Sequence, residues 1–129
     1  MTRKREIYRC TICGNIVEVL HEGAALSCCG KQMELLEENV SDGAFEKHVP
    51  VVELADGGFR VRVGALEHPM TADHCIQWIE LLTPTGVLRR ELQPGDRPEV
   101  LFLVCHDEKC RLADVSARAY CNLHGLWRK

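Results

Sequence analysis

Four cysteines crowd the first 29 residues, at Cys10, Cys13, Cys28 and Cys29, with few apolar residues between them. A stretch of about 35 residues built this way buries too little apolar surface to fold unaided. A metal ion held by the four thiols supplies the missing stability. The competing cross-link, a disulfide framework, needs an oxidising compartment. The chain opens Met-Thr-Arg-Lys-Arg-Glu and runs through only Ile7 and Tyr8 before Arg9 and Cys10, which is not the apolar core of an export signal. It is therefore read as cytoplasmic, where eight Cys and six His point to metal ligation before disulfides.

The two halves of the cysteine set differ. Cys10-x2-Cys13 is a metal knuckle, in which a tight turn aims backbone N–H groups at the thiolates and Gly14 takes the left-handed conformation that closes it. Cys28-Cys29-Gly30 is unusual, because adjacent side chains on an extended strand point to opposite faces. Both sulfurs reach one ion only if the backbone kinks there, with room provided by Gly30 and with angles distorted from tetrahedral. Four thiolates suit zinc or a single iron equally on ligand type. The usual cysteine spacings of an iron–sulfur cluster are not matched.

From Leu35 the chain reads Leu-Leu-Glu-Glu-Asn-Val-Ser-Asp-Gly, acidic and then turn-forming, which places a boundary between a metal domain, residues 1–37, and a second domain, residues 38–129. Beyond it the pattern is β throughout, with strands expected at Val49–Leu54, Phe59–Val63, Ile76–Leu82, Val87–Leu92, Val100–Cys105 and Val115–Cys121. Asp56-Gly57-Gly58, Thr83-Pro84-Thr85-Gly86 and Pro94-Gly95-Asp96 supply the turns. Pro69 to Asp73 reads as a loop or a single helical turn. Short strands at this spacing argue for an all-β chain ending in a small sandwich. A formal charge of −3, with sixteen Lys and Arg interspersed among nineteen Asp and Glu, gives no broad positive field and excludes nucleic-acid or membrane-surface binding of the electrostatic kind. The longest apolar run, Val100 to Cys105, is far short of a membrane span. No nucleotide-binding loop, zincin motif or serine-nucleophile motif occurs.

A second set of metal-ligand residues lies in this β region. His48, His68, His74 and His124 sit at strand ends or in loops, and Cys121 lies three residues before His124, with Gly125 after it. This repeats the turn logic of the N-terminal knuckle. Imidazole suits zinc, copper, iron and nickel, and the added thiolate pulls towards iron, copper or zinc.

Taken in order, Cys10-x2-Cys13 with Cys28-Cys29, Glu46-Lys47-His48-Val49-Pro50, His68-Pro69-Met70 with His74, Trp78-Ile79-Glu80, and Cys121-Asn122-Leu123-His124-Gly125-Leu126-Trp127 resemble desulfoferrodoxin, the two-iron class of superoxide reductase. The resemblance spans nearly the whole chain. It implies a desulforedoxin-like (rubredoxin-like) domain holding iron by four Cys, followed by an immunoglobulin-like sandwich holding a second iron. Carried over position by position, His48, His68, His74 and His124 surround that iron and Cys121 is its axial ligand. The sixth position is open to superoxide, which is reduced by one electron to hydrogen peroxide. Lys47 then attracts and orients the anion, and Glu46 occupies the sixth position once the iron is ferric. The resemblance further implies a homodimer paired through the small domains and re-reduction by a rubredoxin-like carrier, in a cytoplasmic protein that detoxifies superoxide under oxidative stress. Zinc in the four-Cys site is the alternative there.

Subtraction leaves His21, His106, Cys75, Cys105 and Cys110 outside both sets. Cys75 reads as a small buried hydrophobe facing away from His74. Cys105 and Cys110 read as free thiols at two ends of a surface turn, with a redox disulfide or adventitious metal as the alternatives, and His21 reads as an exposed loop residue. Trp78 and Trp127 are expected to pack in the core and the site wall. The loop between Cys13 and Cys28 has fourteen residues, slightly short for the family. A competing function is a two-centre electron-transfer protein that needs neither an open position nor a lysine beside the site.

Overall fold

The structure, a computed structural model, describes residues 1–41, 47–104 and 110–129. Glu46, Cys105 and His106 lie outside the described residues. The chain divides into two compact units, Met1–Glu37 and Glu38–Lys129.

The first unit is built from five short strands, β1 (Ile7–Arg9), β2 (Ile16–Glu18), β3 (Ser27–Cys28), β4 (Lys31–Gln32) and β5 (Glu34–Leu35). The sheet order is β2-β1-β5, and β3 and β4 form a separate hairpin. Its apolar interior is little more than Ile7, Val19 and Met33 with the buried sulfur of Cys10. That is the deficit the sequence implies, and the thiols stand where a metal makes it good. Thr2 closes the unit by donating its hydroxyl to the Gly23 carbonyl at 3.2 Å and accepting from the Gly23 N–H at 2.9 Å.

The second unit is a sandwich of two antiparallel sheets. One sheet has the order β10-β7-β6, from β6 (Pro50–Ala55), β7 (Gly58–Val63) and β10 (Glu99–Leu103). The other has the order β12-β11-β8-β9, from β8 (Ile76–Thr83), β9 (Gly86–Glu91), β11 (Ser116–Cys121) and β12 (Gly125–Arg128). Period-2 alternation places Phe59, Val61 and Val63 of β7 inward, against Ile79 and Leu81 of β8 and Ala117, Ala119 and Cys121 of β11. The alternation therefore ends β11 with a cysteine on the core face.

Strand ends depart from the expected ones by a residue or two, where ladder pairing reaches past the apolar run or stops short of it. Glu99 joins β10 because it pairs with Arg62, and Leu103 pairs last, with Gly58. Two elements have no apolar run to announce them: β12, which pairs Leu126 with Tyr120 and Arg128 with Arg118, and a 3-10 turn at Leu112–Asp114. Residues Pro69 to Asp73 form a loop. Among the described residues, no helix is long and apolar enough to cross a membrane.

The outward face of the four-stranded sheet carries a rank of charge. Arg128, Arg118, Glu80 and Arg89 are directly opposed across β12, β11, β8 and β9. Glu80 is fully buried and accepts from Arg89 Nη2 at 2.7 Å, Arg118 Nη2 at 3.2 Å and Trp78 Nε1 at 3.0 Å. Glu38 takes the other side of Arg118 at 3.4 Å and Arg128 at 3.1 Å. Trp78 stacks on Tyr120 with ring centroids 4.5 Å apart, so it belongs to this outward face and not to the core cluster.

Candidate metal centres

In the first unit the knuckle forms as its glycine predicts. Gly14 has φ +83°, and its N–H donates to the Cys10 carbonyl at 3.0 Å, while the Cys13 N–H donates to the Cys10 sulfur at 3.5 Å. The adjacent pair is solved by a hairpin. Cys29 and Gly30 are the two central residues of the β3–β4 turn, with φ +54° and +73°. Positive φ at both positions is the mark of a type I′ turn. It turns the Cys29 side chain back to the side of Cys28. Holding a cysteine there costs about 1–3 kcal/mol. The kink thus lies on Cys29 itself as well as on Gly30, a step beyond the sequence expectation.

The four Sγ atoms lie within 4.8 Å of one another. The Cys13–Cys28 and Cys28–Cys29 sulfurs are 3.6 and 3.9 Å apart. A tetrahedron of thiolates at about 2.3 Å from a central ion has edges of about 3.8 Å, so the cage fits one ion. Backbone N–H groups of Cys13 and Ile12 hold the Cys10 thiol down to about 6, whereas hydrogen bonding with Cys13 and the other thiols pushes Cys29 up to about 12. Four sulfurs at this spacing ionise together only around a cation. Asn15 Nδ2 donates to the Cys28 sulfur at 3.6 Å.

The second centre lies at one end of the sandwich. His48 precedes β6, His68 follows β7, His74 precedes β8, and Cys121 and His124 flank the turn from β11 to β12. Ring centroids run 4.8 Å from His48 to His68, 4.7 Å to His74, 5.0 Å to His124 and 4.8 Å back to His48, each neighbour turned edge-on to the next. The His48–His74 diagonal, 6.3 Å, is longer than any side. The four imidazoles therefore mark the corners of a square.

Donor atoms of His48, His68, His74 and Cys121 lie within 4.8 Å of one another, and His124 Nδ1 is 3.1 Å from His48 Nε2 and 3.7 Å from the Cys121 sulfur. Buried Nε2 atoms of His68 and His74 have no hydrogen-bond partner. A buried ring nitrogen left this way is costly unless it ligates a cation. His68 Nδ1 donates to the Pro69 carbonyl at 2.7 Å, which fixes the tautomer with the Nε2 lone pair turned inward. Burial pushes the Cys121 thiol up, so in the metal-free chain it stays protonated and ionises only beside a cation.

Lys47 stands beside this square, and its charge is one of those that disfavour a proton on His74, after desolvation and the neighbouring imidazoles. Gly64 seats the segment. Its φ is +82°, its N–H donates to the Val49 carbonyl at 3.1 Å, and a Cβ there would lie 2.6 Å from the Lys47 carbonyl oxygen. Trp127 forms the site wall, stacking on His48 at 4.6 Å and donating Nε1–H to the His124 carbonyl at 3.1 Å.

Two family models cover the chain: "Desulfoferrodoxin, N-terminal domain" over residues 2–36 and "Desulfoferrodoxin" over residues 40–129. The chain belongs to the desulfoferrodoxin family. It is 52% identical to a desulfoferrodoxin of Syntrophotalea carbinolica, over 98% of this chain and 97% of the relative. Identity is 50% to a desulfoferrodoxin of Nitratidesulfovibrio vulgaris, over 99% and 98%. The crystal structure of the superoxide reductase from Treponema pallidum superposes with a TM-score of 0.75 at 30% identity, covering 100% of this chain and 99% of that one. The four-thiolate cage and the four-imidazole, one-thiolate set match the two iron sites of a desulfoferrodoxin.

All nine ligand positions named from the sequence converge on one or other of these centres. Of the unassigned residues, Cys75 is buried just before β8, and His21 is exposed with Nδ1 bonded to the Glu22 carbonyl at 2.8 Å. Asn122, Thr71 and Gly64 were not singled out by sequence reasoning. Asn122 carries the one available signal, its place between two ligands in Cys121-Asn122-Leu123-His124.

Desolvation holds His68 down to about 4 in the metal-free site. Its unfolded-state value is about 6.5, so below that pH the unfolded chain binds the extra proton and the folded chain does not. Stability of the metal-free sandwich is expected to fall by a few kcal/mol as pH drops from about 6.5 to 4, and then to level off for this group. A urea titration of metal-free protein at a series of pH values checks this, and His68→Gln should flatten the slope.

Proposed function

We propose that this chain is a superoxide reductase of two domains, a desulforedoxin-like iron domain over residues 1–37 and a sandwich over residues 38–129 that carries the reaction. The observation that supports it best is the square of imidazoles with Cys121 close to one corner. An ion held by these five donors would have room for one further small ligand. With iron bound, the site supplies one electron to superoxide, which takes up two protons and leaves as hydrogen peroxide. Lys47 attracts and orients the anion by its positive charge, within a chain whose net charge is −3. Trp127 and Pro69 hold His48, His124 and His68 in the orientation that presents their nitrogens. The family resemblance gives Glu46, just before Lys47 and His48, the role of a ligand that would take the open position once a bound iron is oxidised.

A rubredoxin-like carrier re-reduces the centre, and two chains pair through their small domains, whose Ile12, Leu20 and Leu35 are exposed. Cytoplasmic residence fits cysteines without disulfides among the described residues, and a role in oxidative-stress detoxification would follow from the removal of superoxide.

Mixing reduced protein with a superoxide pulse should give oxidation of the iron approaching about 10⁹ M⁻¹s⁻¹ at low salt. Lys47→Ala is expected to slow this about tenfold or more and to flatten its dependence on ionic strength. An unchanged rate and salt slope would remove Lys47 from the reaction. Azide binding to oxidised protein should shift its spectrum, and a silent spectrum would instead favour a closed electron-transfer centre.

A further inference from the structure

The loop that carries His74 and the turn that carries Cys121 and His124 are joined by one side chain. Asn122 follows Cys121 and precedes His124 by two residues. Its Oδ1 accepts from the Cys75 N–H at 3.0 Å, and its Nδ2 donates to the Asp73 carbonyl at 3.0 Å. Asp73 and Cys75 are the residues on either side of His74. The Asn122 backbone N–H also donates to the Cys75 carbonyl, at 3.2 Å, so the β11–β8 ladder continues one pair beyond its strands.

Strand register makes this bracket possible. Tyr120 opposes Trp78, but Cys121 opposes Ile76, so Gln77 is an extra residue on β8. Such a bulge re-aims the side chains that follow it. Here it brings Cys75, and not Ile76, opposite Asn122. The His74 loop is closed on its other side by Thr71, whose hydroxyl accepts from the His74 N–H at 3.1 Å and donates to the His74 carbonyl at 3.2 Å. His74 itself is therefore gripped at both neighbours and at its own backbone.

We infer that Asn122 is a positioning residue for the catalytic metal, its carboxamide locking His74 to the Cys121–His124 turn so that three of the five donors are set at fixed separation. The inference rests on the ligand reading above. An amide is required because one end accepts and the other donates. Asp keeps the size but turns the donor into an acceptor facing the Asp73 carbonyl, and Ala removes both bonds. Partners of this kind around metal ligands typically change affinity 10–100-fold.

The test compares iron-loaded wild type, N122A and N122D, by the rate of iron release to a chelator and by the position of the thiolate-to-iron absorption band in oxidised protein. The four-Cys absorbance and tryptophan fluorescence of the same samples report folding. Both variants are expected to release iron at least about tenfold faster and to shift the band. If N122A does not fold, N122D decides alone. Wild-type release rate and band position in N122D would overturn the role of Asn122. A wild-type protein whose thiolate-to-iron absorption is that of the four-Cys site alone would overturn the ligand reading beneath it, a distinguishable result.

Discussion

Glu80→Gln is expected to destabilise the sandwich by about 3–5 kcal/mol, a large part of the stability a domain of this size has to lose. Glu80 lies on the outward face of β8 yet is fully buried, with Arg118 on β11 equally enclosed. Two ions taken from water at such sites each carry a desolvation cost of several kcal/mol, offset only by their mutual attraction and hydrogen bonds. The Arg118 Nη2, Arg89 Nη2 and Trp78 Nε1 donors fill the Glu80 carboxylate. Removing its charge takes from the buried Arg118 the carboxylate at 3.2 Å, and the partly exposed Glu38 at 3.4 Å is a weaker substitute. Glu38→Gln should cost about 1 kcal/mol or less, since that carboxylate is partly hydrated. Glu80→Leu combined with Arg118→Met removes both buried charges and should return to within about 1–2 kcal/mol of wild type, giving a strong coupling energy in the double-mutant cycle. Urea unfolding read by tryptophan fluorescence reports the sandwich specifically, because both tryptophans, Trp78 and Trp127, are in it. A Glu80→Gln midpoint equal to wild type would show that the rank contributes nothing net.

Ligand identities were legible because metal chemistry needs particular side chains at short spacings, and the chain holds few others like them. Cys10 and Cys13 announce a turn by themselves, and the alternation of Phe59, Val61 and Val63 announces a strand with one buried face. What the sequence could not show is how distant segments meet. The square of His48, His68, His74 and His124 depends on four strand ends converging, and register across β11 and β8 turns on one extra residue, Gln77. The burial of Glu80 is also tertiary, since a Glu between Ile79 and Leu81 reads as the polar face of an ordinary half-buried strand. Cys29 is intermediate. Its neighbour Cys28 made a kink necessary, but only the structure shows a non-glycine residue adopting φ +54° to make it. β12 was missed because Gly125-Leu126-Trp127-Arg128 is too short and too mixed to read as a strand, and pairing with Tyr120 and Arg118 defines it.

Cys121→Ser is expected to weaken iron binding at the square of imidazoles by more than about a thousandfold and to abolish superoxide reduction there. Four imidazoles are neutral donors, so Cys121 supplies the negative charge in this five-residue set. Its side chain is fully buried at the end of β11, where the low dielectric leaves little else to compensate a cation. A serine hydroxyl keeps its proton at neutral pH. The substitution therefore removes a full unit of charge beside the ion, an interaction of several kcal/mol even at an effective dielectric of about 20, and each 1.4 kcal/mol is tenfold in affinity. Size is nearly conserved, and Ala119 and Ile76, which share the core face with Cys121, need not move, so unfolding should not be the cause. The first unit supplies the internal control, because its four-thiolate absorbance should persist in the same sample. The measurement is iron content after dialysis, together with the thiolate-to-iron band and the rate of superoxide consumption. A serine variant that keeps the second iron and reacts at the wild-type rate would show that the charge at position 121 is not what holds the ion.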